Sequence, residues 1–428
     1  MKLVLISLLG ALLAYFLYSI GPDLQRAVVV LGVFRKYPTA TITKDELVII
    51  PDTVNCEDLH YYAPSGTIFT ACEDDADVRF RWFPPLANFD DPELAGRSQG
   101  SIHVIDPKTM TSKRLKMEGF EGPFVTHGID VTPDQTSDQD EAVYIIAINH
   151  NPETQPSGAK GPHAHSQLEV FHHVVGSSTV KHVRTVWHPL IRTPNDVFAR
   201  SPTDIYVTND HRHRDHGLMR TVEDLYYGAK WGEIVHLQLD SLSPSSSADP
   251  SAGVTARIAL TGLHNTNGLG HGRTEDEILI SSAASGVLHI GKLPAKDDHA
   301  GNITVVASIE LIHVADNPSY FADPYAAEGD DRSGFLETGV SQAAHLAANQ
   351  RNPDALDPVM VSYIRPKADA PGGWEKRVIF DDDGTRIRTG SGGVLVPLDP
   401  KSEGGNRRAW LVVSGFMSKA AAAVKVDL

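Results

Sequence analysis

Several signatures of large enzyme classes are missing from this chain. Only two cysteines, Cys56 and Cys72, occur among its 428 residues, which excludes a cysteine-rich scaffold or a thiolate zinc module. No G-x-S-x-G elbow is present, so serine chemistry of the α/β-hydrolase type has no anchor. No H-E-x-x-H motif is present, and Gly268-Leu269-Gly270-His271-Gly272 lacks the spacing of a dinucleotide loop. Basic residues are scarce: 38 Lys and Arg stand against 54 Asp and Glu, a net charge of −16, which argues against a nucleic-acid partner. Long helical periodicities are few, and no crisp WD-type repeat stands out.

What remains is a globular, turn-rich composition, 41% apolar with 35 glycines and 27 prolines. From about Val48 the chain reads as many short strands separated by turn residues. Among them are Thr67–Ala71, Val143–Asn149, Asp204–Thr208, Glu233–Leu239, Glu277–Ser281, Met360–Tyr363 and Trp410–Val413. So many strands without alternating helices predict an all-β fold: a sandwich, barrel or propeller. Roughly 380 residues leave room for about six four-stranded blades with generous loops. Phe83–Ser98, Thr132–Asp140, Pro152–Ser166, Arg212–Trp231, Ser241–Gly253 and Ser319–Pro358 read as loop insertions. Within Arg212–Trp231, Leu218-Met219 and Val222–Tyr227 predict a short helix that either walls a site or lies solvated on the surface.

Residues Leu3 to Ile20 form a nearly continuous apolar run after Lys2. The first 20 residues are therefore expected to be a signal-anchor or a signal peptide, with the retained anchor favoured because no A-x-A site follows. Residues 21–44 are expected to form a helix and linker, with Leu24, Val28, Leu31 and Phe34 near helical spacing. That helix would lie on a membrane surface or pack on the main domain. Residues 45–428 make up the main domain. Either N-terminal reading places the chain in the secretory pathway, membrane-anchored or secreted, and makes Asn302-Ile303-Thr304 a usable glycosylation site. A hairpin turning at Ala63-Pro64-Ser65-Gly66 sets Cys56 nearly opposite Cys72. A disulfide and two free thiols both remain open.

Adjacent oxygen side chains recur along the chain: Glu57-Asp58, Asn195-Asp196 and Asp316-Asn317, with Asn267 in Thr266-Asn267-Gly268. Each alone is ordinary turn chemistry. Together they suggest a fold that gathers distant strand ends at one point, and hard oxygen ligands suit calcium. Neighbours in an extended segment face opposite ways, so alternation alone splits Glu57 from Asp58 and Asn195 from Asp196. His127 and His150 both end apolar segments, and a pair of imidazoles can relay a proton. The run His211-Arg212-His213-Arg214-Asp215-His216 has close histidines, but its arginines argue against a bound cation.

Seven motifs in order resemble the serum paraoxonase/arylesterase family. They are Asn55-Cys56-Glu57-Asp58-Leu59, Thr126-His127-Gly128-Ile129, Ile148-Asn149-His150, Pro194-Asn195-Asp196-Val197, Tyr206-Val207-Thr208-Asn209-Asp210-His211, Asn267-Gly268-Leu269 and Ala315-Asp316-Asn317. Gly390-Ser391 and Val424–Leu428 are similar to the family's end, and the hydrophobic N-terminus is similar too. The resemblance implies a six-bladed β-propeller with two calcium ions in its tunnel. It implies hydrolysis of lactones and aryl esters, with organophosphates as lesser substrates. Carried over by motif, Glu57, Asn195, Asn267, Asp316 and Asn317 would hold a catalytic calcium. Asp58, Asp196 and the Ile129 carbonyl would hold a structural one. His127 and His150 would match the family's histidine dyad. The family's terminal disulfide has no counterpart here, since no cysteine lies in Val426-Asp427-Leu428.

The expected mechanism has calcium stabilising the oxyanion and the histidine pair activating water. Asp316 or Glu57 is the alternative base. Rival readings are a gluconolactonase-like or phosphotriesterase activity, and a non-catalytic, membrane-tethered calcium-binding interaction module.

Overall fold

A computed structural model describes residues 18, 21–37, 47–137, 141–153, 164–243, 249–296, 298, 300–367, 370 and 372–428. Apart from Tyr18, the apolar run 3–20 lies outside the described residues. So does most of the proposed linker up to residue 44. Among the described residues no helix is long and apolar enough to cross a membrane.

Six sheets, antiparallel but for one outer strand, make the six blades of a propeller. The innermost strand comes first in sequence in four blades and second in blades 2 and 6, which each take an earlier strand at the outer edge. The innermost strands are Cys56–Tyr62, Thr126–Pro133, Pro194–Ser201, Thr266–His271, Pro318–Phe321 and Gly390–Pro397, in blades 1 to 6. Blade 2 gains a fifth, parallel strand, Lys116–Glu118. Blade 6 closes the ring without a covalent tie: the N-terminal strand Val48–Ile50 pairs with the last strand, Ala421–Asp427. The Cys56–Cys72 disulfide forms instead inside blade 1, where the two residues are register partners.

The apolar residues sort by interface. Six separate buried clusters each fill the seam between two neighbouring blades, blade 6 against blade 1 included. Each blade therefore buries both faces, which is why its second and third strands read as near-continuous aliphatic runs such as Val143–Ile148. Most of those strands were legible in the sequence, Gly334–Val340 of blade 5 excepted, and all the strand segments named above are present.

Of the innermost strands only that of blade 1 was legible, as one arm of the hairpin around Ala63-Pro64-Ser65-Gly66. The expected insertion Ser319–Pro358 contains the strand Gly334–Val340 and most of the strand Pro318–Phe321. Gly390-Ser391-Gly392-Gly393, whose composition by itself predicts a turn between strands, opens the strand Gly390–Pro397. Both readings are corrected, and for the innermost strands the physical reason is composition. Strands lining a tunnel carry glycine, asparagine and serine where ordinary strands carry aliphatic residues, so the usual pattern is erased.

Two insertions fold over one end of the tunnel. Residues 76–89 form a helix, Ala76–Arg81, and a tight hairpin of Trp82–Phe83 with Asn88–Phe89. The predicted helix of the second is present as Leu218–Leu225. The N-terminal helix, residues 21–30, packs beside them. Arg26 Nη2 fastens it to the carbonyls of Ser285, Gly286 and Leu311 at 2.7–3.0 Å. Ala27 and Val30 are buried, whereas Leu24 and Phe34 stay 58% and 82% exposed.

Candidate active site

Five of the six innermost strands carry the same local irregularity near their start, and in blade 5 the equivalent residues lie just before the strand. In blade 1, Cys56 pairs with Cys72 and Leu59 with Thr70, so Glu57 and Asp58 together face the single residue Ala71. Two-against-one pairing is a β-bulge, and it re-aims the side chains it contains. Asn195-Asp196 in blade 3 and Asn267-Gly268 in blade 4 repeat it. His127-Gly128 in blade 2 does so as well. In blade 5 the equivalent pair is Asp316-Asn317, where Asp316 N donates to Thr338 O at 2.9 Å. The expectation of simple alternation in an extended strand is thus refined: the oxygen pairs sit in bulges.

The bulges make two six-membered rings around the tunnel. In the second ring Asp58, Asp196 and Asn317 alternate with glycines. The glycines are required for space. A Cβ on Gly128 would stand 2.3 Å from Asp196 Oδ1, and one on Gly268 would stand 2.2 Å from the Asp316 carbonyl oxygen.

Glu57, His127, Asn195, Asn267 and Asp316, all of the first ring, reach the floor of a 420 Å³ cavity. Asn317 joins them through its side-chain amide, which donates to Glu57 Oε1 at 2.8 Å. Four oxygens of this group are buried with no hydrogen-bond partner among the described residues: Glu57 Oε2, Asn195 Oδ1, Asn267 Oδ1 and Asn317 Oδ1. Buried acceptors are normally satisfied. Orphaned acceptors in one cluster, with no donor among them, fit a hard cation. The carboxylates respond accordingly. Glu57 is pushed well above the usual range by burial, then by Asp316 and Asp58. Asp316 is pushed up to about 8 by burial and Asp58. A positive charge at this point would reverse both shifts. No group of three or more His, Cys, Asp or Glu in metal-holding geometry occurs among the described residues; this set mixes two carboxylates with three amide oxygens.

Asp58 and Asp196 do not line the cavity. Their oxygens already accept hydrogen bonds. Asp58 takes Leu59 N at 2.7 Å and Ile129 N at 3.3 Å. Asp196 takes Val197 N at 2.7 Å and Leu269 N at 2.6 Å. The Asp58 oxygen that takes Leu59 N and both Asp196 oxygens retain a second lone pair, whereas the Asp58 oxygen that takes Ile129 N also meets His60 Nε2. Asp196 is raised well above its usual value by burial, then by Asp58 and Glu57. His60, which bridges Asp58 at 3.1 Å and Asp130 at 3.2 Å, was not foreseen.

His150 Nε2 and His127 Nδ1 share a hydrogen bond of 3.1 Å, and His150 Nδ1 meets Ser166 Oγ at 2.8 Å. His127 Nε2 faces Glu57 Oε1 at 3.9 Å. Both rings are held neutral. Burial lowers His127 first, then His150 and Arg79; burial and Arg79 bring His150 down to about 3.

Sequence reasoning missed the groups that hold this pair. Phe83 stands edge-on to His127 at 5.0 Å and stacks on Phe416. The fully buried Arg79 lies 4.1 Å over the Phe83 ring. Both come from an insertion, where no periodicity pointed inward. The cavity walls are mainly apolar, with Leu31, Leu86, Leu225, Val340, Leu346 and Phe416 among them. His216 stands exposed at the rim, so the solvated reading of that histidine run holds there, while His211 is buried between Asp210 and Asp224.

Known proteins match this chain in sequence. It is 28% identical over 246 residues to serum paraoxonase/arylesterase 2 of Gallus gallus, covering 56% of this chain and 58% of that protein. It is 23% identical over 253 residues to serum paraoxonase/lactonase 3 of Oryctolagus cuniculus, covering 58% and 60%. The matched stretch thus spans under two thirds of these relatives' length. A solved luciferin-regenerating enzyme aligns with a TM-score of 0.45 at 9% identity, over 90% of this chain and 95% of that one. The sequence model named Arylesterase matches residues 91–321. The chain belongs to the arylesterase family, that of the serum paraoxonases.

Proposed function

We propose that the protein hydrolyses lactones and aryl esters, organophosphates being lesser substrates, with two calcium ions. The observation that carries this reading is the cluster of four orphaned acceptor oxygens beside a neutral histidine pair, at the floor of an apolar cavity. Glu57, Asn195, Asn267, Asp316 and Asn317 would hold the first ion. A calcium ion held there supplies positive charge for a substrate carbonyl oxygen as it becomes anionic. Asp58, Asp196 and the Ile129 carbonyl would hold the second, in a structural role.

The chain's own residues do the rest. The apolar walls take the acyl or lactone body and exclude water from it. His127 accepts a proton from the attacking water at Nε2, because its Nδ1 is engaged by His150. His150 fixes the tautomer and orientation of His127, and the Ser166 hydroxyl in turn orients His150. Glu57, with Oε1 facing His127 Nε2, is the competing base. We place the protein in the secretory pathway, with two exposed apolar residues, Leu24 on the N-terminal helix and Phe34 in the turn after it, against a membrane surface.

The test is hydrolysis of a lactone and aryl-ester panel by the full chain, before and after chelation. Activity lost on chelation and restored by calcium supports the proposal. A folded, calcium-loaded chain inactive across the panel sinks it and leaves a binding module.

A further inference from the structure

The first ring has six positions, and five of them carry the groups already described: Glu57, His127, Asn195, Asn267 and Asp316. The sixth is Ser391. In blade 6, Gly390 pairs with Gly415 and Gly393 with Val413, so Ser391 and Gly392 together face Ser414. That is the same two-against-one bulge. Ser391 is fully buried. Its hydroxyl donates to the Glu57 carbonyl, and its own carbonyl accepts from Asn317 N at 3.0 Å. Ser414, the residue opposite the bulge, also reaches the Glu57 carbonyl, at 3.3 Å.

We infer that Ser391 is a positioning residue for the cation site: it sets Glu57 and Asn317 at the distance at which their orphaned oxygens share one ion. The geometry is a three-blade clamp. Blade 1 supplies Glu57, blade 5 supplies Asn317, and blade 6 lies between them with one donor and one acceptor on the same residue. The clamp closes through the Asn317–Glu57 side-chain hydrogen bond at 2.8 Å. That bond occupies Glu57 Oε1 and leaves Glu57 Oε2 and Asn317 Oδ1 free. Without the Ser391 hydroxyl, the Glu57 carbonyl keeps only the longer bonds from Ser414 at 3.3 Å and from Asn317 Nδ2 at 3.4 Å. Blade 6 also holds the non-covalent seam that closes the ring. Ser391 therefore fastens the closing blade to the site at the point where the propeller has no covalent tie.

This inference rests on the proposed cation site. Calcium affinity of the full chain is measured by titration calorimetry, and melting is followed in chelator and in calcium. Ser391→Ala is expected to weaken calcium binding about tenfold, as loss of a residue supporting metal ligands does. Its melting point in chelator should fall only by what one lost buried hydrogen bond accounts for. A merely structural serine would lower melting in chelator and leave the affinity alone. Should Ser391→Ala fail to fold, Ser414→Ala carries the test, with a smaller loss of affinity expected. Parent-level affinity in the folded variant overturns the inference. A parent chain that binds no calcium overturns the cation site itself, and this inference with it.

Discussion

Asn317 and Glu57 are 260 residues apart in sequence, and the Asn317 amide donates to Glu57 Oε1 at 2.8 Å and, at 3.4 Å, to the Glu57 carbonyl. The shorter bond points the donor of one side chain at one oxygen of the other and turns the two remaining oxygens toward the same buried space. Propeller closure makes this contact, since blades 5 and 1 meet there only with blade 6 in place. It follows that site formation and ring closure are one event. Glu57→Gln, which removes charge but little volume, should weaken calcium binding by at least tenfold. Calorimetric titration of the folded variant checks this, and unchanged affinity counts against a role for Glu57 as ligand.

The histidine pair has a separable role. His127→Gln should lower turnover of a lactone by about 100-fold or more, the range for loss of a general base. Calcium affinity should stay within about twofold, because His127 lies beside the oxygen set and contributes no orphaned atom to it. Steady-state kinetics with parallel calcium titration distinguish the outcomes. Turnover unaffected by the change assigns water activation to Glu57 or Asp316.

Gly128 tests the bulge ring. Gly128→Ala places a methyl group 2.3 Å from Asp196 Oδ1 and 2.7 Å from the Asn195 carbonyl oxygen. Backbone lies on that side, so the neighbours have little room to yield. Destabilisation of about 1–3 kcal/mol is expected, as for overpacked interiors. Gly404→Ala, in an exposed turn with nothing within 4 Å, has no such clash; its positive φ of 65° brings only backbone strain. Denaturant unfolding of both variants gives the comparison.

The sequence showed the architecture through its aliphatic strands and showed most of the site through its oxygen pairs. Val143–Ile148 or Glu277–Ser281 announce themselves because burial on both faces demands continuous apolar residues. Ser391 did not, because a serine between glycines is also what a surface turn contains. The signal that identifies it is the recurrence, once per blade, of a two-residue polar or glycine step before the apolar part of an innermost strand: Glu57-Asp58, His127-Gly128, Asn195-Asp196, Asn267-Gly268, Asp316-Asn317, Ser391-Gly392. Arg79 and Phe83 had no such recurrence to reveal them. They belong to a single insertion, and only its folding brings them behind His127.

Stability should depend on pH through histidines outside the site. His103 is buried between Ser101 Oγ at 2.6 Å and Ser112 Oγ at 2.7 Å. Burial, then Arg114, lowers it from 6.5 to about 4. Between those values the unfolded chain binds a proton that the folded chain does not, so stability falls as pH drops from 6.5 to 4. His103→Gln should reduce the slope of unfolding free energy against pH in this window by about one proton. Urea unfolding at several pH values measures it, and an identical slope in the variant contradicts the assignment.

Asn267 offers the most direct test of the central claim, that the orphaned oxygens form a cation site. Its Oδ1 has no partner among the described residues, so Asn267→Ala removes a cation ligand without breaking a hydrogen bond made there by that oxygen. Calcium titration of the parent chain and of Asn267→Ala is the measurement. The account predicts calcium binding by the parent chain, and at least tenfold weaker binding by a variant that still folds. Equal affinity in the two proteins would contradict it.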